Sequence, residues 1–268
     1  MNITPALGLG DLLVIKMKEK SNNLIIKNIN ILYKLIKQYR KYPEKALDTI
    51  TNHIKLLFPE TKIFVDYDTE VTTLDYIPEY NFTDTYLYDL LNLSIPNKYN
   101  NYIVFHTKVR LDRQTTDKFI QHALPLLDNF FKDFKTDKTI IILGEKKVEE
   151  CFEQKICNII SIYDNILQLS ANNKVIDLTE TELYSGNTSF DMFLNDIEII
   201  NKADMNICFG LGGPFNLCQA FSKNNICYVS NYSDPRSDKI LDRYISINKN
   251  SYRDIEPFIH TIYKTINI

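Results

Sequence analysis

Three of the chain's 7 glycines, Gly210, Gly212 and Gly213, lie between an apolar run (Ile207, Cys208, Phe209) and Pro214. Glycine lets a backbone approach a ligand closely, and proline suits the first helical position, so the spacing predicts a strand, a tight turn and a helix start. The free N–H groups and partial positive charge of such a start form a seat for phosphate. Turns of this composition also occur with no ligand. Asp11 follows Gly8 and Gly10 at the start of a second predicted helix. It can cap that helix, or act as general base on a substrate hydroxyl for which the two glycines clear space; the roles are compatible. Thr107, Lys108, Arg110 and Arg113 follow the apolar Tyr102–His106 run. They read either as an exposed polar loop or as a clamp on a diphosphate through charge-assisted hydrogen bonds. Glu145, beside Gly144 after a buried run, offers a carboxylate to ribose hydroxyls or opens a solvated helix.

Such side chains act together only if a scaffold gathers them. Across 268 residues, with 17 Tyr, 15 Phe, few Gly and Pro and no Trp, the composition is that of a globular chain with ample core. The net charge of −3 argues against a general nucleic-acid binder. That average hides a basic start (Lys16, Lys18, Lys20, Lys34, Lys37, Arg40, Lys41) followed by an acidic, tyrosine-rich stretch. The basic run reads as a solvated helix face or as a surface for an anionic acceptor or membrane, which leaves peripheral membrane contact open. The five cysteines have no C-x-x-C spacing, and Cys208 and Cys227 read as small core residues, which points to a reducing compartment. The four histidines are scattered, and Asp66 and Asp68 fall outside any strand-end context, so no metal site is expected. With no signal-peptide pattern and no apolar run of spanning length, a cytoplasmic location is expected.

Short apolar runs alternate with amphipathic stretches. Strands are expected at the N-terminus, at 24–31, 62–65, 102–106, 139–143, 159–162, 175–178, 207–209 and 226–229. Helices are expected after Asp11, over 46–57, along the Phe119–Phe134 face with a kink at Pro125, over 190–201, after Pro214, and over 255–266. The alternation predicts an α/β protein: two Rossmann-like, doubly wound parallel-sheet units facing across a cleft. The Pro96–Asn101 stretch marks the boundary, giving residues 1–99, residues 100–250 and a terminal helix over 251–268. In such sheets ligands lie beyond the carboxyl ends of the strands.

The segment Gly8-Leu-Gly-Asp-Leu-Leu-Val14 resembles the Gly-Asp entry motif of the ADP-heptose:lipopolysaccharide heptosyltransferase-like glycosyltransferases (glycosyltransferase family 9, GT-B fold). The order of the second half is similar to that family's too: Tyr102–Arg113, Gly144-Glu145, Val175–Thr179, and Gly210 to Leu217, followed by Asn225–Val229 and Ser233-Asp-Pro235. The resemblance implies a metal-independent glycosyltransferase that moves a sugar from a nucleotide-diphosphate sugar, with no further cofactor, to a glycan or other hydroxyl acceptor. By position it makes Asp11 the catalytic base, with Gly8 and Gly10 on the acceptor side. Thr107, Lys108, Arg110, Glu145, Gly212, Gly213, Pro214 and Asn216 line the donor. Leu211 stands where the family has a sugar-contacting Asp, and Asn216 where it has a donor-contacting His. Those departures fit a second reading, a nucleotide-sugar-binding protein without catalysis. A third, a GT-B-fold sugar-nucleotide epimerase, needs more acid/base groups, for which Glu145, Asp177 and His106 are the candidates. The compact, Asn/Lys/Ile-rich chain also resembles glycosyltransferase-like proteins of giant DNA viruses.

Overall fold

The computed structural model describes residues 2–3, 9–21, 23, 25–39, 43–69, 87–88, 98–111, 113–147, 158–179, 190–210, 213–229 and 251–266. Among them are two separate β-sheets. The first is built from β1 (Asn2–Ile3), β2 (Asn28–Leu32) and β3 (Lys62–Asp66), all parallel, with β2 in the middle. Between these strands run α1 (Leu9–Ser21), α2 (Tyr33–Tyr39) and α3 (Pro43–Leu57). The apolar residues of β2 alternate: Ile29 and Ile31 are buried while Asn28 and Asn30 are half-buried, as a strand with one covered face requires. Ala46, Ile50, Ile54 and Leu57 fall on one side of α3 at helical spacing and close that core. Helix α1 begins at Leu9 rather than after Asp11 as expected from the sequence, so Gly10 lies within its first turn. Gly8 lies outside the described residues.

The second sheet is larger. It contains β4 (Tyr102–Leu111), β5 (Thr139–Leu143), β7 (Val175–Asp177), β8 (Met205–Gly210), β9 (Asn225–Tyr228) and β10 (Ser251–Tyr252) in the order β10-β9-β8-β4-β5-β7, every neighbour parallel. A further strand, β6 (Asn158–Ser161), pairs antiparallel with the end of β4. Taken from β7 and numbered by chain position, the six parallel strands read 3-2-1-4-5-6, the doubly wound order, and the reversal falls between β4 and β8.

Both faces of this sheet are covered, which is why β8 is buried along its whole length and is apolar but for Asn206. One face (Ile103, Phe105, Ile140, Ile142, Ile207, Phe209) packs under a π-turn (Phe119–Ala123) that continues α4 (Arg113–Lys118), and under α5 (Leu124–Asp133), α6 (Tyr163–Leu167) and α9 (Ile255–Ile266). The kink expected at Pro125 is that π-turn. Leu124 N donates to Phe119 O, and Pro125, which has no N–H to give, opens α5. The opposite face (Tyr102, Val104, Ile141, Leu143, Cys208, Cys227) packs under α7 (Phe190–Lys202) and α8 (Gly213–Phe221). Its apolar cluster continues into α1, α3 and the small sheet without a break. Helix α1 lies on α8, and the His53 ring of α3 stands 4.2 Å from that of Phe193 on α7. Leu87 N donates to Ala220 O, and Tyr88 donates its phenol proton to Glu198.

A second sequence expectation is corrected in the large sheet. Residues 107–111 are not a loop; they continue β4 to Leu111. Thr107, Val109 and Leu111 are buried and alternate with half-buried Lys108 and Arg110, a two-residue period that outweighs the two charges. The continuation passes a bulge between Phe105 and Val109, then pairs with β8 at Val109↔Phe209 and Arg110↔Gly210 and with β6 from Lys108 to Leu111.

Candidate functional site

The reversal of strand order falls between β4 and β8, and an open α/β sheet receives ligands beyond the carboxyl ends of the strands at such a reversal. Gly210 ends β8 with φ 77°, and α8 starts at Gly213. A Cβ on Gly210 would stand 2.7 Å from Arg110 O, so glycine is needed there for the strand pairing itself. Gly213 differs: a Cβ there would meet nothing within 4 Å. The space in front of the first turn of α8 is open. Pro214 is buried in the same turn, and Asn216 is half-buried, with a buried Oδ1 that accepts no hydrogen bond among the described residues. Gly212 and Leu211 lie outside the described residues.

Beside this turn, the expected cationic cluster is arranged differently from a simple clamp. Thr107 is fully buried and its hydroxyl donates to Glu145 O at 2.8 Å, while Ser161 Oγ donates to the same carbonyl at 2.5 Å. Glu145, 2 % exposed, holds Lys108 Nζ at 3.1 Å. Thr107 and Glu145 therefore face into the protein and position Lys108; a ribose has no open path to the Glu145 carboxylate. Gly144, with φ 120°, makes this possible, because a Cβ there would lie 2.3 Å from Thr107 Oγ1. Lys108 and Arg110 share the face of β4 that carries Tyr102 and Val104, the side covered by α8.

Asp11 is the third residue of α1, inside the first turn, where a carboxylate is favoured by the helix dipole; its side chain is outside the described set. Arg113 opens α4. His106 is 2 % exposed and burial pushes its imidazole down to about 4, offset in part by the Asn206 side chain beside it. It is neutral at physiological pH and closed off from solvent. Asp177, at the end of β7, is tied to Thr179 Oγ1, Tyr163 OH (2.7 Å) and Lys146 Nζ (3.0 Å). Burial raises its pKa, but these hydrogen bonds outweigh that and hold the carboxyl below its ordinary value. Sequence reasoning missed Ser161, Lys146 and Tyr163, whose roles follow from strand pairing rather than from any local motif.

The molecule is thus an α/β protein with a mostly parallel, doubly wound sheet flanked by helices. No helix among the described residues is long and apolar enough to cross a membrane. No protein-family model matches the chain, and neither curated proteins nor solved structures yielded a match.

Proposed function

We propose that the chain is a glycosyltransferase of GT-B type, in which the small sheet's unit carries the acceptor and the large sheet holds a nucleotide-diphosphate sugar. The observation that carries this reading is the open first turn of α8 beyond the strand-order reversal, with the Asn216 oxygen unpaired beside it. On this reading the N–H groups of Gly212 and Gly213 and the helix dipole take the diphosphate, flanked by Arg110 and Lys108, and do the work a metal does in other transferases. Asn216 Oδ1 accepts a hydrogen bond from the donor. Asp11, on the helix that packs against α8, removes the proton of the acceptor hydroxyl as the sugar–phosphate bond breaks. Thr107 and Glu145 act one step back by fixing Lys108.

A binding protein without catalysis is the competing reading, favoured by the ion pair that already engages Lys108. Incubation with a panel of nucleotide sugars, scored for transfer and hydrolysis, separates the two. Asp11→Asn is expected to abolish turnover while a thermal-shift response to UDP, GDP or ADP persists. Full turnover by that variant would refute the base assignment, and no response to any of the three nucleotides would refute the donor site.

A further inference from the structure

On the face of the large sheet that α8 covers, three side chains distant in sequence converge. Val104 pairs with Asn206, and His106 follows two residues later on the same face of β4. Cys208 stands two residues beyond Asn206 on β8, beside Cys227 of β9. Helix α8 covers this face and brings in Cys218. Cys218 Sγ lies 3.3 Å from Cys208 Sγ and 3.3 Å from His106 Nε2, and the three donor atoms all fall within 4.8 Å of one another. Each of the three residues is 2 % exposed or less.

A buried thiol is an ordinary apolar filler, and one S–H to an imidazole nitrogen satisfies a buried histidine. That account calls for neither the second thiol, which donates to Cys218 Sγ, nor the neighbouring amide. Asn206 Nδ2 donates to Ile200 O at 2.8 Å and to Ser222 Oγ at 3.0 Å. These bonds fix the amide, and its Oδ1 stays buried without a well-formed hydrogen bond among the described residues, next to the His106 ring. An acceptor in that position is what a metal-bound imidazole uses for its other N–H.

We propose that His106 Nε2, Cys208 Sγ and Cys218 Sγ bind a zinc ion. The donors are soft, which excludes magnesium and calcium. Two thiolates and a neutral imidazole carry two negative charges, so a divalent ion leaves the buried centre neutral, whereas a monovalent one does not. Binding releases two protons, one from each thiol, as two Zn–S bonds and one Zn–N bond form. With bonds of about 2.3 and 2.0 Å, tetrahedral donors stand roughly 3.5–3.8 Å apart. The two contacts of Cys218, at 3.3 Å, are slightly tighter and open by a few tenths of an ångström on loading. Three protein donors match a zinc centre with one remaining position. The ion ties β4 and β8 to α8 and so fixes the helix start above it; this holds whether or not the protein transfers sugars.

The test uses the full chain, stripped with a chelator and titrated with cobalt(II), then zinc(II). One equivalent of cobalt is expected to bind with a near-ultraviolet sulfur-to-cobalt charge-transfer band, zinc to displace it, and two protons to be released. The Cys208→Ala/Cys218→Ala variant is expected to lose at least about a hundredfold in affinity, and Cys227→Ala, equally buried but outside the donor set, to retain it. X-ray absorption at the zinc edge of the unsubstituted chain, which needs no variant to fold, is expected to show two sulfur ligands and one imidazole. A natively folded chain that takes up no cobalt, an absorption spectrum without sulfur, or a double variant that binds like its parent would each overturn the site.

Discussion

A methyl group at Gly144 would stand 2.3 Å from Thr107 Oγ1, and one at Gly210 would stand 2.7 Å from Arg110 O, both at positive φ. Gly144→Ala and Gly210→Ala are each expected to cost roughly 2–4 kcal/mol in denaturant unfolding. Gly213→Ala is expected to leave stability within about 0.5 kcal/mol, since a Cβ there meets nothing, and yet to weaken any ligand seated on α8. A stability loss at Gly213 as large as at Gly210 would contradict the open turn. His53 supplies a pH signature. Burial pushes it down to about 4 from an ordinary 6.5, so between those values the unfolded chain holds a proton that the folded chain does not. Stability therefore falls on acidification, by about 2 kcal/mol from about pH 7 to about pH 5, and His53 contributes no slope above the upper value. In His53→Leu that part of the slope is expected to vanish in urea titrations at the two pH values.

At the scale of elements, β4 carries the greatest consequence. Its extension to Leu111 pairs with β6 and β8 and sets Lys108 against Glu145. Lys108→Ala leaves a 3 % exposed carboxylate without its cation, and a loss of about 1–3 kcal/mol is expected, with Lys108→Ala/Glu145→Gln recovering much of it. A double-mutant cycle reads this directly, and independent, additive effects would show that the pair is not coupled. The terminal helix α9 closes the other face through Phe258, whose ring lies 5.6 Å from Phe209 and 5.8 Å from Tyr228. Phe258→Ala is expected to cost about 3–5 kcal/mol.

For the whole molecule, one apolar cluster joins the two sheets through α1, α3, α7 and α8. Calorimetry is therefore expected to show a single cooperative transition; two resolved transitions would mean that the sheets unfold as separate units. The strands of the small sheet all precede those of the large one in the chain, but the contact of His53 with Phe193 and of Leu87 with Ala220 was beyond sequence reasoning. Such contacts join helix faces whose apolar residues look the same whatever they pack against.

Local order was legible in the residues themselves. The Thr139–Leu143 strand, the 190–202 and 255–266 helices, the strand ending at Gly210 and the helix starting at Gly213 follow from apolar spacing, Gly and Pro. Those signals act over a few residues, so a single chain displays them. The strand order, the continuation of β4 and the meeting of His106 with Cys218, 112 residues away, were settled only by the folded molecule. They depend on which distant segments pair, and that choice is made by the summed burial of whole faces rather than by any one stretch of sequence.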